Sequence, residues 1–329
     1  MRSETEPKRV GGLLRIPHSE LRTVRWGLGA VLALFLPLVD PNPYHLEILT
    51  TSLLYALLAL GLNLIVGFTG MLHLGYAAFF AIGAYTYGLL NVHWGWPLWI
   101  GWVPAALIAA LCGVGLGVPA LRVRGDYLAI VTLGFGEIVR LIFTNLDRWT
   151  GGPNGLLGIA HPSLWLPGLG TVDFGVASAP YYYLVCAVTA IVAGVCVRLS
   201  RSRVGRAWLA VREDEIAAAC TGLPVLHLKL LALGCGGAIA GIAGSLFAAK
   251  QGTITPDSFD FILSVMVLAM VVLGGLGSIR GAVVGALMLG TLPELLRGVD
   301  RYRMLLFGLA MILVIRLRPQ GLFGGGSRR

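Results

Sequence analysis

From Ile48 to Leu121 the chain carries no Asp, Glu, Lys or Arg. That interval is long enough to cross a hydrocarbon core about three times at ~20 residues per helix. The whole composition agrees: 57% of residues are hydrophobic and 12% charged, against roughly 25% charged in soluble domains. Inside hydrocarbon every backbone N–H and C=O must bond internally, so only helices and closed barrels span it. The short alternating strands of a barrel are absent from the sequence. The fold class read from this is all-α, a polytopic transmembrane helical bundle.

Ten hydrophobic segments stand out: Trp26–Val39, Leu46–Val66, Leu74–Leu90, Pro97–Leu121, Tyr127–Leu146, Pro180–Leu199, Leu226–Ala249, Phe261–Leu273, Ala282–Leu296 and Met304–Ile315. Several fall short of ~20 residues, which points to tilted, re-entrant or half-helices and to about 8–10 spans. With the N-terminus inside, nineteen of the 25 Lys and Arg residues fall on the cytoplasmic side and six outside. This positive-inside bias predicts both termini in the cytoplasm. It also accounts for the net charge of +9 without nucleic acid, because the arginines cluster in short loops beside spans. The domain layout is then a basic N-terminal segment (1–25), a transmembrane domain (26–316) and a cytoplasmic tail (317–329). Within the domain lie an outer loop (147–179) and an inner loop (200–225). The outer loop is dense in Gly and Pro and reads as a compact surface loop that can receive a partner protein.

Glycine is abundant, with 46 residues. Small residues let membrane helices approach closely, and they also permit broken helices beside a pathway. Gly67–Tyr85 and Gly274–Gly290 both space glycines three or four apart and then enter a small-residue helix. They read as an internal repeat with broken helices, of the kind found near the midplane of transporters. The same glycine spacing also arises by chance.

The inner loop is the polar exception. Residues Arg198 to Pro224 hold five arginines, then Glu213, Asp214 and Glu215, then an alanine-rich stretch. Ala210–Ala219 favours helix, Gly222 suits the left-handed turn that ends one, and Pro224 prevents continuation. A short charged helix between two spans gives a soluble partner something to grip. The bland reading is a solvated loop whose arginines set topology.

Candidate pathway residues are fewer. Asp126 sits at the inner edge of a span, Gly134 and Gly136 loosen its middle, and Glu137 is the deepest acidic residue. An intramembrane carboxylate is a functional candidate by default, or else a structural partner of Arg140 one turn away. Gly152 and Asn154 belong to the turn-dense Thr150–Leu156. Asn63, His73 and Tyr76 supply polar groups near the first glycine-rich segment.

There is no GxxxxGK[ST] loop, so the chain does not bind ATP by the usual means. No Cys/His ligand cluster occurs. Cys112, Cys186, Cys196, Cys220 and Cys235 read as packing residues without a disulfide framework. No cofactor is expected.

Three stretches carry a family resemblance: Gly125–Glu137 (GDYLAIVTLGFGE), Thr150–Leu156 (TGGPNGL) and Arg206–Ala218 (RAWLAVREDEIAA). Gly67–Tyr85 and Gly274–Ser278 support them. Over about residues 45 to 322 the chain resembles the branched-chain amino acid permeases of bacterial ABC importers, the LivH/LivM family, in its LivM-type form. The resemblance implies a non-catalytic permease subunit in the bacterial inner membrane. Its implied partners are a LivH-type homologous permease, two cytoplasmic ABC ATPases and a periplasmic amino-acid-binding protein. The ATPases would dock on Arg203, Gly205, Arg206, Arg212, Glu213, Asp214, Glu215, Ala217, Ala218 and Gly222, although the alanines stand one position later than in the strict Glu-Ala-Ala form. The substrates implied are leucine, isoleucine and valine. Urea or short-amide permeases look similar over the same motifs, and Thr150–Leu156 favours amino acids. An ion-coupled secondary transporter would instead use Glu137 and His73 as relay groups. A purely structural scaffold fits the broken helices poorly.

Overall fold

The structure is a computed structural model of the 329-residue chain, and it describes residues 42–121, 123, 126–166, 170–175, 179–295, 308, 316 and 321–323. The expected span Trp26–Val39 lies outside those residues, as does Met304–Ile315 apart from Gly308. So does the basic segment 1–25.

The described chain is a bundle of helices. In order they are α1 (Pro43–Leu62), α2 (Tyr76–Trp94), α3 (Leu98–Ala120), α4 (Asp126–Asn145), α5 (Asp147–Thr150), α6 (Ala179–Arg201), α7 (Arg203–Glu213), α8 (Glu215–Cys220), α9 (Val225–Gln251), α10 (Phe261–Gly274) and α11 (Ile279–Leu295). Eight of the ten hydrophobic segments correspond to α1, α2, α3, α4, α6, α9, α10 and α11. Six helical stretches are long and apolar enough to cross a bilayer: Pro43–Phe68, Leu98–Ala120, Tyr127–Asn145, Ala179–Arg201, Val225–Gln251 and Pro256–Gly274. The protein is therefore a multi-pass membrane protein.

The helix α2 is not among those six, and its surroundings explain why. Tyr76, Tyr85, Tyr87 and Asn91 on it are buried by protein, so it does not need the uniform apolarity of a lipid-facing helix. The long central helix α9 packs most extensively against α3 and α2. Small residues set that spacing. A Cβ on Gly113 would sit 2.7 Å from the Leu233 carbonyl oxygen, and one on Gly237 would sit 2.7 Å from the Ala109 carbonyl oxygen. Gly241 meets the Ala105 backbone one turn further along. The register 113 to 233, 109 to 237 and 105 to 241 is that of antiparallel neighbours. On its other side Gly241 touches Gly83, and Gly244 the backbone of Phe80. Backbones this close gain dispersion contacts that lipid cannot supply. Tyr76 Oη also donates to the Gly236 carbonyl at 2.9 Å.

The outer faces differ. Ile100, Val103, Leu107 and Leu111 on α3, Ile130, Ile138 and Leu141 on α4, and Ile191 and Val195 on α6 are exposed. These apolar rows suit lipid or another membrane subunit.

The described residues between Asp147 and Gly175 contain no helix of spanning length. The loop holds α5, a 3₁₀ turn (Gly152–Asn154), β1 (Leu156–Leu157) and a hairpin of β2 (Ser163–Leu166) with β3 (Gly170–Asp173). The strand β1 pairs antiparallel with β4 (Thr253–Ile254) beyond α9, which ties the loop to the bundle.

Two substitutions on α3 separate packing from propensity. Gly113→Val drives a side chain into α9 and is expected to cost about 1–3 kcal/mol by overpacking. Gly115 has no atom within 4 Å of its ideal Cβ, and Gly115→Val should leave the thermal unfolding midpoint in detergent unchanged. Equal shifts for the two variants would contradict this packing account.

Candidate functional site

Two membrane helices give way to irregular chain, and both breaks lie beside the inner loop. The helix α1 continues as a π-helical run, Asn63–Phe68, a form frequently found at functional positions. The chain then runs without regular helix through residues 70–75 before α2 begins at Tyr76. The second break lies at residues 275–278, between α10 and α11. Asn63 Oδ1 accepts the Gly277 N–H at 2.9 Å. A Cβ on Gly67 would stand 2.5 Å from the same Gly277 nitrogen. The two glycine-rich segments therefore pack on each other. Gly277 adopts φ +80°, a conformation that side chains other than glycine resist.

The loop reaches this junction through Arg212. Its Nη1 donates to the Gly67 carbonyl, the same Nη1 lies 2.8 Å from an ideal Cβ on Gly277, and its stem lies under Gly70. The final carbonyls of a helix have no partner within it, and a cation there also opposes the negative end of the helix dipole. The other break is capped from the C-terminal tail: Leu322 N–H donates to the Leu273 carbonyl at 2.9 Å and Phe323 N–H to Gly274 at 3.0 Å.

The loop itself departs from the single helix expected over Ala210–Ala219. It forms two helices, α7 and α8, joined at Asp214 with φ −155°. The cause is the aspartate: Oδ1 accepts from Ile216 N at 2.8 Å and Ala217 N at 2.9 Å, which makes it the N-cap of α8. Capping in this way favours a non-helical Asp over continuation of α7. Gly222 does take the left-handed turn, with φ +84°. The helix α7 is anchored by Trp208, fully buried, whose Nε1 donates to the Leu228 carbonyl at 2.8 Å, and Gly205 lies against the end of α6. Lys229 Nζ and Glu215 Oε2, 2.6 Å apart, pin α8 to α9. Arg203, Arg206, Glu213, Asp214, Glu215 and Ala217 are exposed, while Ala218 is buried. Ile216 is 73% exposed, an apolar knob at the tip.

A small cleft lies where α2 and α10 begin. It is lined by Leu74, Gly75, Ala77, Leu133, Gly136, Glu137, Phe259, Asp260, Phe261 and Ser264. Its volume is about 20 Å³, room for one water and too small for an amino acid. Side-chain hydroxyls organise its walls. Ser264 Oγ accepts from Ala77 N at 2.9 Å and Thr132 Oγ1 from Leu74 N at 3.0 Å. Asp260 caps α10 by accepting from Leu263 N at 3.0 Å. The close approach of α4 requires glycine at 75, where a Cβ would sit 1.8 Å from the Thr132 carbonyl oxygen, and is tight at 136, where one would sit 3.2 Å from Gly75 Cα. Glu137 accepts from Arg140 Nε at 3.1 Å, and Arg140 Nη1 reaches Asp257 at 3.2 Å.

The remaining sequence candidates lie elsewhere. His73 is buried against Phe79 and Tyr76, with neither ring nitrogen hydrogen-bonded. Gly134 has nothing near its ideal Cβ. Asp126 opens α4. Gly152 and Asn154 form a knot at the end of α4, where Thr150 Oγ1 donates to the Phe143 carbonyl at 2.6 Å; neither lines the cleft. Thr132, Asp260 and Ser264 were not singled out from the sequence. Asp260, directly before an apolar run, carried a readable N-cap signal, whereas the hydroxyls gave no local cue. Lys250, 4% exposed, also escaped notice; it bonds Thr51 Oγ1 at 2.7 Å and joins α9 to α1.

A multi-pass bundle whose broken helices are tied to a polar loop is the build of a membrane permease. The chain belongs to the family described as branched-chain amino acid transport system, permease component, which matches residues 44–315. It is 45% identical over 293 residues to the high-affinity branched-chain amino acid transport system permease protein LivM of Salmonella typhimurium, covering 84% of this chain and 69% of that one. The LivM protein of Escherichia coli K12 is 43% identical over 327 residues, 93% of this chain and 77% of that one. The E. coli permease LivH is 28% identical over 285 residues, 82% and 91% of the two chains. No solved structure matches the chain.

Replacing the cap of α8 tests the loop geometry. Asp214→Ala should cost the helix about 1 kcal/mol, read as faster amide hydrogen exchange at Ile216 and Ala217, while Asp214→Asn keeps most of the protection. Unchanged exchange in Asp214→Ala would remove the capping role.

Proposed function

We propose that this chain is the LivM-type transmembrane subunit of an ATP-driven importer of branched-chain amino acids. A LivH-type permease stands beside it, two cytoplasmic ATPases dock on α7 and α8, and a periplasmic binding protein delivers substrate to the opposite face. Both termini lie in the cytoplasm. ATP is hydrolysed by the partners.

The observation that carries the reading is the junction of the inner loop with both helix breaks. A loop that only set topology would have no reason to bond the end of the first broken helix and to lie against the Gly277 turn of the second break. The exposed tip, with Ile216 directly after Glu213, Asp214 and Glu215, supplies an apolar knob and charges for a partner groove. The cleft supports a pathway role for Gly136 and Glu137. Its small volume fits a closed half-site that opens by helix movement and is completed by the second permease. Leu74, Leu133, Phe259 and Phe261 offer an apolar wall for a branched side chain. A zwitterion crosses such a wall more readily than an ion with net charge, whose desolvation is costly. Nucleotide drives the cycle only if it binds the two conformations with different affinity.

Co-purification in detergent tests the motor interface. The native chain, expressed with its partner permease, is expected to retain the ATPases, and Ile216→Asp with Glu213→Lys to lose them. Leucine uptake should persist when an uncoupler collapses the proton gradient while ATP is maintained. Uptake that follows the gradient and needs no ATPase would overturn the proposal.

A further inference from the structure

We infer that Arg212 is a positioning residue that couples the loop helices to both membrane-helix breaks, so that displacement of α7 and α8 moves the ends of α1 and α10 together. The inference rests on the proposed importer function and goes beyond it, because docking alone assigns the loop residues only to the ATPase interface.

Among the described residues, the other long-range hydrogen bond and the ion pair of the loop lead back to its own flanking helices. Trp208 bonds α9 through Leu228, Glu215 bonds α9 through Lys229, and Gly205 abuts Leu199 and Ser200 of α6. Arg212 crosses to a different part of the fold. Its guanidinium donates to the Gly67 carbonyl, the end of a helix that is 145 residues away in sequence. The same group lies against Gly277, and its stem lies against Gly70. Asn63 carries the connection onward, holding the Gly277 N–H at 2.9 Å. One side chain thus touches the start of the first break, at Gly67 and Gly70, and the turn of the second at Gly277.

The chemistry favours arginine here. Its fork of donors is planar and stays charged, so it can hold a backbone carbonyl while lying flat against a glycine turn. Lysine offers a point charge on a flexible stem. It can reach the Gly67 carbonyl, but it cannot present a flat face to Gly277. The glycines at 67, 70 and 277 leave room for the guanidinium and for each other, and a Cβ on Gly67 or Gly277 would enter the contact.

The test uses the full complex in proteoliposomes: this chain, the homologous permease, both ATPases and the binding protein. Leucine import and ATP hydrolysis are measured on the same vesicles for the native chain, Arg212→Ala and Arg212→Lys. Arg212→Ala is expected to keep the ATPases bound and hydrolysing, while leucine imported per ATP falls about ten-fold or more, within the usual range of coupling free energies. Arg212→Lys should give an intermediate ratio. A ratio unchanged in both variants, or import and hydrolysis falling in proportion, would overturn the inference. Should Arg212→Ala fail to assemble, Arg212→Lys decides: an intermediate ratio supports the coupling role and a native ratio removes it. If the native complex imports leucine without hydrolysing ATP, the importer reading itself fails and the coupling role with it, an outcome distinct from a working complex that ignores Arg212.

Discussion

Hydrocarbon offers no hydrogen bonds, so a helix that stops inside a membrane protein must find partners for every carbonyl and amide it frees. Two such stops occur among the described residues, and their partners draw other segments of the fold together. At the end of α1 the freed Gly67 carbonyl takes the Arg212 guanidinium. At the end of α10 the Leu273 and Gly274 carbonyls take amides from the C-terminal tail. At the starts of α2 and α10 the freed amides take the hydroxyl of Ser264 and the carboxylate of Asp260. All but the local Asp260 cap pull in a distant segment, and those at the two helix ends bring the inner loop, the tail and the two breaks to one place.

That arrangement gives the molecule two centres with direct links between them. One centre is the Arg212 junction and the other is the cleft. Residues 69–75 leave the junction at Gly70 and reach the cleft at Leu74 and Gly75. The helix α10 spans the same interval, from Asp260 and Ser264 at the cleft to Gly274 at the second break. Its 14 residues measure about 21 Å at 1.5 Å per residue. In the proposed cycle a rigid helix of that length would carry a displacement at the loop to the cleft without a long chain of soft contacts. The central helix α9 is close-packed against α3 and α2 through Gly113, Gly237, Gly241 and Gly244.

Much of the helix framework was readable from sequence because lipid imposes a simple rule on composition. Eight apolar segments were placed within a few residues of the helices that contain them. The end of the loop was readable as well, since Gly222 and Pro224 act locally. The division of the loop was missed because Asp214 could equally continue a helix, and its capping bonds exist only after the chain turns. The cleft was half readable: Gly136 and Glu137 stand out in an apolar helix, whereas Thr132 and Ser264 are ordinary until the folded chain brings them to Leu74 and Ala77. Arg212 was counted among the docking residues, since nothing in its neighbours reveals that the Gly67 carbonyl lies within reach. Long-range pairing decides such roles, and a single sequence does not display it.

The most direct test of the account is the structure of the assembled transporter in nucleotide-free and ATP-bound states. The account predicts that Arg212 stays hydrogen-bonded to the Gly67 carbonyl in both, while the separation of Glu137 from Ser264 across the cleft changes between them. Loop helices that shift with the ATPases while the ends of α1 and α10 remain in place would contradict it.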